Sequence, residues 1–225
     1  ANDLPLFEVV HNGIDLEAWA SVDAVQVESL RVRLGLAGKK VILFAGRLTS
    51  YKGTQQLLAA MDQLKDDVPD MRLLVLTAGD IDGQIPPDYA HLRPLIVKGG
   101  WLSGDDLVTA YHLADVAVVP SVIFDSFPTV NLEAMACALP VIATSFGGSR
   151  EIVLDGDNGF IVNPYDTVSF ADRLRRLLTD DDLRQQMGLN GQARIYQQFS
   201  LKHQIDRMVA FYDQAITLKA SKRIG

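Results

Sequence analysis

The stretch Val41-Ile42-Leu43-Phe44-Ala45-Gly46-Arg47-Leu48-Thr49-Ser50-Tyr51-Lys52-Gly53 decides how the chain is read. Its first four residues leave no polar face, as expected of a strand buried on both sides of a parallel sheet. A glycine and two cations follow at once, and then an amphipathic stretch, Gly53–Lys65. Val116-Ala117-Val118-Val119 repeats the continuous apolar pattern. Working outward from Val41–Ala45 and Val116–Val119, strands are predicted at Phe7–Val10, Arg72–Thr77, Leu95–Val97, Val141–Thr144 and Gly159–Val162. Helical patterns fall between them at Asp105–Leu113, Phe127–Ala138 and Ser149–Leu154. This β-α-β-α rhythm predicts an α/β fold with a doubly wound, Rossmann-like, mostly parallel sheet. From Thr167 onward only helices are expected, at Thr167–Leu178, Asp181–Phe199 and Leu201–Lys219, the last with a stripe of Ile205, Met208, Val209, Tyr212 and Ile216. Asp80–Pro87 reads as a surface loop and Lys219–Gly225 as a frayed tail.

Composition narrows the function classes. With 225 residues, 48% of them hydrophobic, the chain has the apolar surface for a sizeable core and is not a disordered tail. A net charge of −7 argues against a nucleic-acid partner, which would need a basic footprint. Cys137 is the single cysteine, so an intramolecular disulfide and a Cys-rich metal site are excluded, and a reducing, cytoplasmic setting fits. The longest apolar run, Ala134–Ala143, contains Pro140 and is far short of the ~20 residues of a membrane span. The chain opens on Ala1, without a basic-then-apolar leader and without Met, which suggests a processed or truncated protein.

In an open α/β sheet, ligands sit beyond the carboxyl ends of the strands near the point where strand order reverses. Four segments qualify by their residues. In Gly46–Gly53, Gly46 permits close backbone approach, and Arg47 and Lys52 put two cations at a strand end beside a helix N-terminus. A diphosphate suits this place; a surface turn with two solvated cations is the alternative. In Phe124-Asp125-Ser126-Phe127-Pro128-Thr129-Val130-Asn131-Leu132-Glu133, Ser126 is a suitable N-cap, Pro128 is tolerated in a first turn, and the amides of Phe127, Thr129 and Val130 would form a second anion-binding end. Glu133 then lies on an apolar helix and needs a partner if buried; the alternative is a capped core helix whose glutamate reaches solvent or pairs with an arginine. In Thr144–Glu151, Gly147 and Gly148 either let amides approach a ligand or make a plain turn. Lys98-Gly99-Gly100-Trp101-Leu102 could admit a flat base, unless Trp101 is core. The dinucleotide fingerprint, the Walker pattern, the paired-histidine zinc helix and the nucleophile elbow are absent, and the four histidines are scattered. His112, between Tyr111 and Leu113, reads as structural.

Taken in order, these segments resemble the C-terminal half of a retaining glycosyltransferase of the GT-B fold, in the large family 4 group. The resemblance runs through His11-Asn12-Gly13-Ile14-Asp15, Phe44-Ala45-Gly46-Arg47-Leu48, Lys52-Gly53, Ala114-Asp115-Val116 and Pro120-Ser121. It continues through Leu132-Glu133-Ala134-Met135-Ala136, Leu139-Pro140-Val141-Ile142-Ala143, Gly147-Gly148, Glu151-Ile152-Val153 and Asp155-Gly156-Asp157-Asn158-Gly159, covering nearly the whole chain.

The resemblance implies a domain that holds a nucleoside diphosphate sugar and passes a hexosyl group to a hydroxyl of a sugar, lipid or other acceptor. Arg47 and Lys52 would contact the diphosphate, Glu133 the ribose hydroxyls, and Asp125, eight residues earlier, the donor sugar. The Phe127 and Thr129 amides would complete the phosphate cradle, and Gly99–Leu102 would face the base. Catalysis would then rest on Asp125, Arg47 and Lys52, with charge neutralised by fixed cations and amides and with neither cofactor nor metal.

Three positions depart from the family pattern. Asp125 stands where Glu is usual and reaches about 1.3 Å less, since each C–C bond spans ~1.5 Å. Pro128, often Gly, brings no amide proton. Ala138, where Gly is common, bears on the helix C-cap. The resemblance also implies residues 1–198 as the nucleotide-sugar-binding unit and 199–225 as a crossover helix and tail. An acceptor-binding N-terminal domain, through which relatives often touch membranes, would complete the enzyme. Other GT-B enzymes (an epimerase or a phosphorylase) and a non-catalytic nucleotide-binding scaffold are the alternatives, the last supported by Asp125 alone.

Overall fold

The computed structural model describes residues 7–19 and 21–221. Six strands, β1 (Lys40–Ala45), β2 (Met71–Leu76), β3 (Ile96–Gly100), β4 (Val116–Val119), β5 (Val141–Thr144) and β6 (Gly159–Val162), form one sheet in the order β3-β2-β1-β4-β5-β6. Every pairing is parallel, from Lys40 opposite Met71 to Thr144 opposite Val162. The chain winds outward from β1 to β3, then crosses back to lay β4 on the other side of β1. Strand order therefore reverses between β1 and β4.

Alternation within the apolar strands explains why both faces are covered. Ile42, Phe44, Leu73, Val75, Val116, Val118, Ile142 and Phe160 face one layer, built from α3 (Thr54–Leu64) and α7 (Thr167–Thr179). Val41, Leu43, Leu74, Ala117, Val119, Val141 and Ala143 face the other, built from α2 (Ala24–Arg33), α4 (Asp105–Leu113), α5 (Thr129–Ala136) and α6 (Ser149–Ile152). The long α8 (Asp181–Gln198) closes that layer through Ile195 and sets Gly188 against the end of α5, where a Cβ would lie 2.0 Å from the Ala138 carbonyl oxygen.

Several boundaries differ from the sequence expectation. Phe7–Val10 is not a strand: Phe7 is 79% exposed, and the chain first touches regular structure at a bridge from Ile14 to Ser200. β3 runs on through Lys98, Gly99 and Gly100, because the Thr77 amide donates to the Gly100 carbonyl at 2.9 Å. The short α1 (Leu16–Trp19) and α2 are additional. Only Leu30 of α2 is buried and Val25 and Val32 face solvent, so no apolar stripe marks it; Asp23 caps it, accepting from the Val25 amide at 2.9 Å. The loop from Asp80 holds a 3₁₀ turn at Asp82–Gln84 pinned by buried Ile81 and Ile85. The last helix, α9 (Leu201–Ser221), forms as expected and its stripe is exposed, Ile216 by 67%. Of the tail expected to fray, Lys219–Gly225, the first residues instead continue α9 to Ser221, and residues 222–225 lie outside the described residues.

Candidate functional site: a cleft at the strand-order reversal

The β1 side of the reversal is the loop that follows Ala45 and runs to Gly53. Gly46 adopts φ 138°, a conformation L side chains avoid, and a Cβ there would meet nothing within 4 Å. The glycine thus serves the backbone turn rather than a close approach within the chain. Arg47 is exposed, and its side chain has no partner among the described residues. The chain then tightens into a 3₁₀ turn, Ser50–Lys52, that ends on Gly53 at φ 74°. A Cβ on Gly53 would stand 2.0 Å from the Pro120 carbonyl oxygen, so only glycine lets the turn lie against the end of β4. The Val122 amide donates to the Tyr51 carbonyl at 2.8 Å and ties the two strand ends together. This closeness brings Lys52 Nζ to 2.8 Å from Asp125 Oδ2, an ion pair at the mouth of the cleft.

The other side is built by backbone contact. A Cβ on Gly147 would lie 2.1 Å from the Asp125 carbonyl oxygen, and one on Gly148 1.9 Å from that of Ser126. The Gly148 amide donates to the Asp125 carbonyl at 2.8 Å. Gly147 and Gly148 serve close backbone packing within the chain, a role that neither reading of them named. Held this way, Asp125–Phe127 stays a loop, and α5 begins at Thr129 with Pro128 at the N-cap and no side-chain cap. Ser126 is therefore not the cap, and the Phe127 amide is not part of the helix. The N–H groups of Thr129 and Val130 open the helix, with no carbonyl a turn earlier to accept them. The Phe127 ring stacks on His11 at 5.2 Å and approaches Phe199 at 6.0 Å, while His11 Nε2 lies 2.6 Å from Glu151 Oε2.

Between the two sides, at the ends of β1 and β4, lies a cleft of about 220 Å³ lined by Ala45, Lys52, Ser121, Asp125, Thr129 and Val130, among others. Arg47 flanks it on the exposed loop. Ser121 is 1% exposed and its hydroxyl has no partner among the described residues.

Glu133, in the second turn of α5, is the electrostatic exception. Loss of water around it pushes its carboxyl above the usual glutamate range, and hydrogen bonds from Tyr111 and Thr129 oppose that rise. The Tyr111 O–H donates to Glu133 Oε2 at 2.5 Å. Glu133 is thus only half-buried, and it pairs with two hydroxyls rather than with an arginine. Burial, with Glu133 nearby, pushes the Cys137 thiol up to about 12, which leaves it unreactive.

The structure brings Lys52, Asp125, Phe127, Thr129 and Val130 together in the cleft lining; Gly46 and Arg47 follow Ala45 in the chain and Glu133 bonds Thr129, but none of these three lines the cleft. It does not bring the Gly99–Leu102 segment into the cleft lining, for β3 is the sheet edge two strands away from β1. There a Cβ on Gly99 would meet Leu76, Gly100 turns at φ 76°, and Leu102 packs on the core. Trp101 is 74% exposed, which removes the core alternative. His112 Nε2 hydrogen-bonds the Trp19 carbonyl at 3.1 Å, a structural contact as read. Other motif residues also serve the fold: Asp115 accepts from the Val41 amide at 2.7 Å, and buried Asn158 accepts from the Leu154 amide at 2.8 Å. Ala138 takes φ 54° just past α5, where the Leu139 and Ala138 amides donate to the Ala134 and Met135 carbonyls at 3.0 Å each. That is a Schellman C-cap with alanine in the glycine position. Sequence reasoning passed over two hydroxyls beside the site, Ser121 and Tyr111. The available signal was a polar atom inside an otherwise apolar segment. Among the described residues no three His, Cys, Asp or Glu side chains gather as a metal site, and no helix is long and apolar enough to cross a membrane.

An all-parallel sheet flanked by helices on both faces, with a cleft at its reversal point, defines a Rossmann-like domain. The family profile described as "Glycosyl transferases group 1" matches residues 26–194, and the chain belongs to that family. A D-inositol 3-phosphate glycosyltransferase of Corynebacterium jeikeium is 37% identical over 190 residues, covering 80% of this chain and 45% of that protein. Among solved structures, sucrose-phosphate synthase from Thermosynechococcus elongatus superposes with a TM-score of 0.81 at 29% identity, covering 94% of this chain and 53% of the other. Anabaena HepE in complex with UDP-glucose gives 0.78 at 26% identity, covering 95% and 57%. The expected GT-B-type, Rossmann-like domain is therefore the one found. The chain spans about half the length of the curated relatives it matches.

Proposed function

We propose that this chain is the donor-binding half of a hexosyltransferase that uses a nucleoside diphosphate sugar and retains configuration at the transferred carbon. The observation that carries the reading is the cleft at the β1–β4 reversal: its mouth holds the Lys52–Asp125 ion pair, the α5 N-terminus borders it, and Arg47 stands free beside it. Arg47, Lys52 and the Thr129 and Val130 amides receive the diphosphate and the charge that grows on it as the sugar leaves. No metal is called for in this reading. Glu133 accepts from the ribose hydroxyls. Asp125 meets the donor sugar once diphosphate draws Lys52 away. HepE, 26% identical, was solved with UDP-glucose, which makes UDP the first nucleotide to try.

Acceptor recognition belongs to a second domain. α9 presents Ile205, Val209, Tyr212 and Ile216 to solvent, 50–67% exposed, a stripe suited to lie across such a domain. By itself the chain binds nucleotide and does not transfer sugar. Calorimetry with UDP, GDP, ADP and their sugars, in the presence of a chelator, tests this. One nucleotide should bind without metal, and a transfer assay on the purified chain should stay blank. Absence of binding to all of them by the folded protein would favour a non-catalytic scaffold, and transfer by the chain alone would refute the division of labour.

A further inference from the structure

Tyr111 lies on α4, not on either loop that frames the cleft, and is fully buried. A buried phenol needs a partner for its O–H, and Tyr111 finds one in a carboxylate, Glu133 Oε2 at 2.5 Å. Its ring is fixed from behind by the edge of Trp19, with centroids 5.2 Å apart and planes at 89°. The Trp19 carbonyl is in turn held by His112 Nε2 at 3.1 Å and approached by Cys137 Sγ at 3.5 Å. The phenol thus reaches Glu133 from the core side, through a relay running from α1 through α4 to α5.

We propose that Tyr111 is a positioning residue for donor recognition: its O–H takes one lone pair of Glu133 Oε2 from the core side, leaving the rest of the carboxylate to accept the ribose hydroxyls. This rests on the reading of Glu133 as the ribose acceptor. Two consequences follow from the chemistry. A carboxylate with one oxygen already held loses less freedom when ribose binds, so the hydroxyls meet an acceptor already in place. The O–H also stabilises the ionised form against the burial that opposes it, keeping Glu133 an acceptor down to lower pH. The titratable groups around Glu133 are Tyr111 from α4 and Cys137 from α5, with the Thr129 hydroxyl one turn below; both Tyr111 and Cys137 stay protonated while Glu133 titrates.

The test compares Tyr111→Phe, Glu133→Gln and the double variant, each checked by thermal unfolding. UDP, 2′-deoxy-UDP and inorganic pyrophosphate are the calorimetric probes. Tyr111→Phe should weaken UDP about 5–10-fold, less than the full worth of a charge-assisted hydrogen bond because the bond lost orients the acceptor and does not touch the ligand. It should weaken 2′-deoxy-UDP less and leave pyrophosphate unchanged. The pH at which UDP affinity falls on acidification should move upward, because Glu133 loses a donor to its charged form. In the Glu133→Gln background the same Phe substitution should cost no further ribose discrimination. This last comparison holds even if the phenylalanine lowers stability. Equal weakening of UDP and 2′-deoxy-UDP, or an unmoved acid limb, would overturn the proposal and leave Tyr111 a packing residue. If Glu133→Gln collapses ribose discrimination and Tyr111→Phe does not, the Tyr111 inference fails while the ribose reading stands. If Glu133→Gln leaves discrimination intact, the ribose reading fails and takes the inference with it.

Discussion

The two sides of the cleft are made differently. On the β1 side, Arg47 stands in solvent with no partner among the described residues, and Lys52 is held by one ion pair. On the α5 side, backbone presses on backbone at Gly147–Asp125 and Gly148–Ser126, and Glu133 is held against the core by Tyr111. One side offers cationic side chains near solvent, the other a backbone-packed loop and a carboxylate held from the core. A diphosphate needs cations that can follow it, whereas hydroxyl recognition needs an acceptor that does not move. The contrast predicts that substitutions of the exposed Arg47 change binding alone, while those on the α5 side change stability as well.

The largest effect should come from Gly148→Ala. Its Cβ would lie 1.9 Å from a carbonyl oxygen and 2.9 Å from its carbon, so the Asp125–Phe127 loop must move. A stability loss of about 3 kcal/mol, in the range of severe overpacking, should appear in urea unfolding together with loss of nucleotide binding. If binding goes but stability does not, the α5 side is softer than its contacts indicate. Next comes Arg47→Ala: diphosphate binding should weaken by about 1.5–3 kcal/mol, the value of a charge-assisted contact, while the free nucleoside and the unfolding midpoint stay unchanged. A shifted midpoint would blur the contrast from the other direction.

Glu133 sharpens the comparison through pH. Its carboxyl is raised by burial, so the folded state binds this proton more tightly than the unfolded chain does. Its contribution therefore favours the folded state below the ordinary glutamate range and is lost as pH rises through the raised folded value. Nucleotide binding runs the opposite way, since ribose needs the ionised form. Glu133→Gln should flatten the acid limb of UDP affinity and remove that pH-dependent part of stability, as read by calorimetry and by melting across pH 4–7, a window spanning the usual carboxylate and histidine ranges. The smallest effect should be a gain. Ala138→Gly relieves a φ of 54° at the α5 C-cap and should stabilise by about 1 kcal/mol, with nucleotide affinity unchanged.

Much of this was legible in advance, for identifiable reasons. Val41–Phe44 and Val116–Val119 are apolar at every position, so a strand buried on both faces follows without tertiary knowledge. Asp105–Leu113 was bounded to the residue, because its apolar positions keep helical spacing up to the point where the chain turns to β4. The start of α5 was misjudged, because Ser126 carries the right chemistry for a cap and nothing local reveals that Gly148 lies against its carbonyl. α2 escaped notice because its buried side is a single leucine. In the site, glycines and cations singled out the β1 loop that borders the cleft, but the partner of Glu133 could not be read. It comes from α4, 22 residues away, on a helix that looks like plain core.

The sequence by itself determined the parallel sheet, most of the helices that cover it, and the segments carrying Arg47, Lys52, Asp125 and Glu133. These depend on periodicity and residue type, which are local properties. Only the tertiary structure decided that strand order reverses between β1 and β4, that Lys52 pairs with Asp125 across the cleft, and that a buried phenol holds Glu133. The physical reason is the same in each case: a charge or a hydrogen bond takes its environment from whatever segment folding brings beside it, and no local pattern encodes that neighbour.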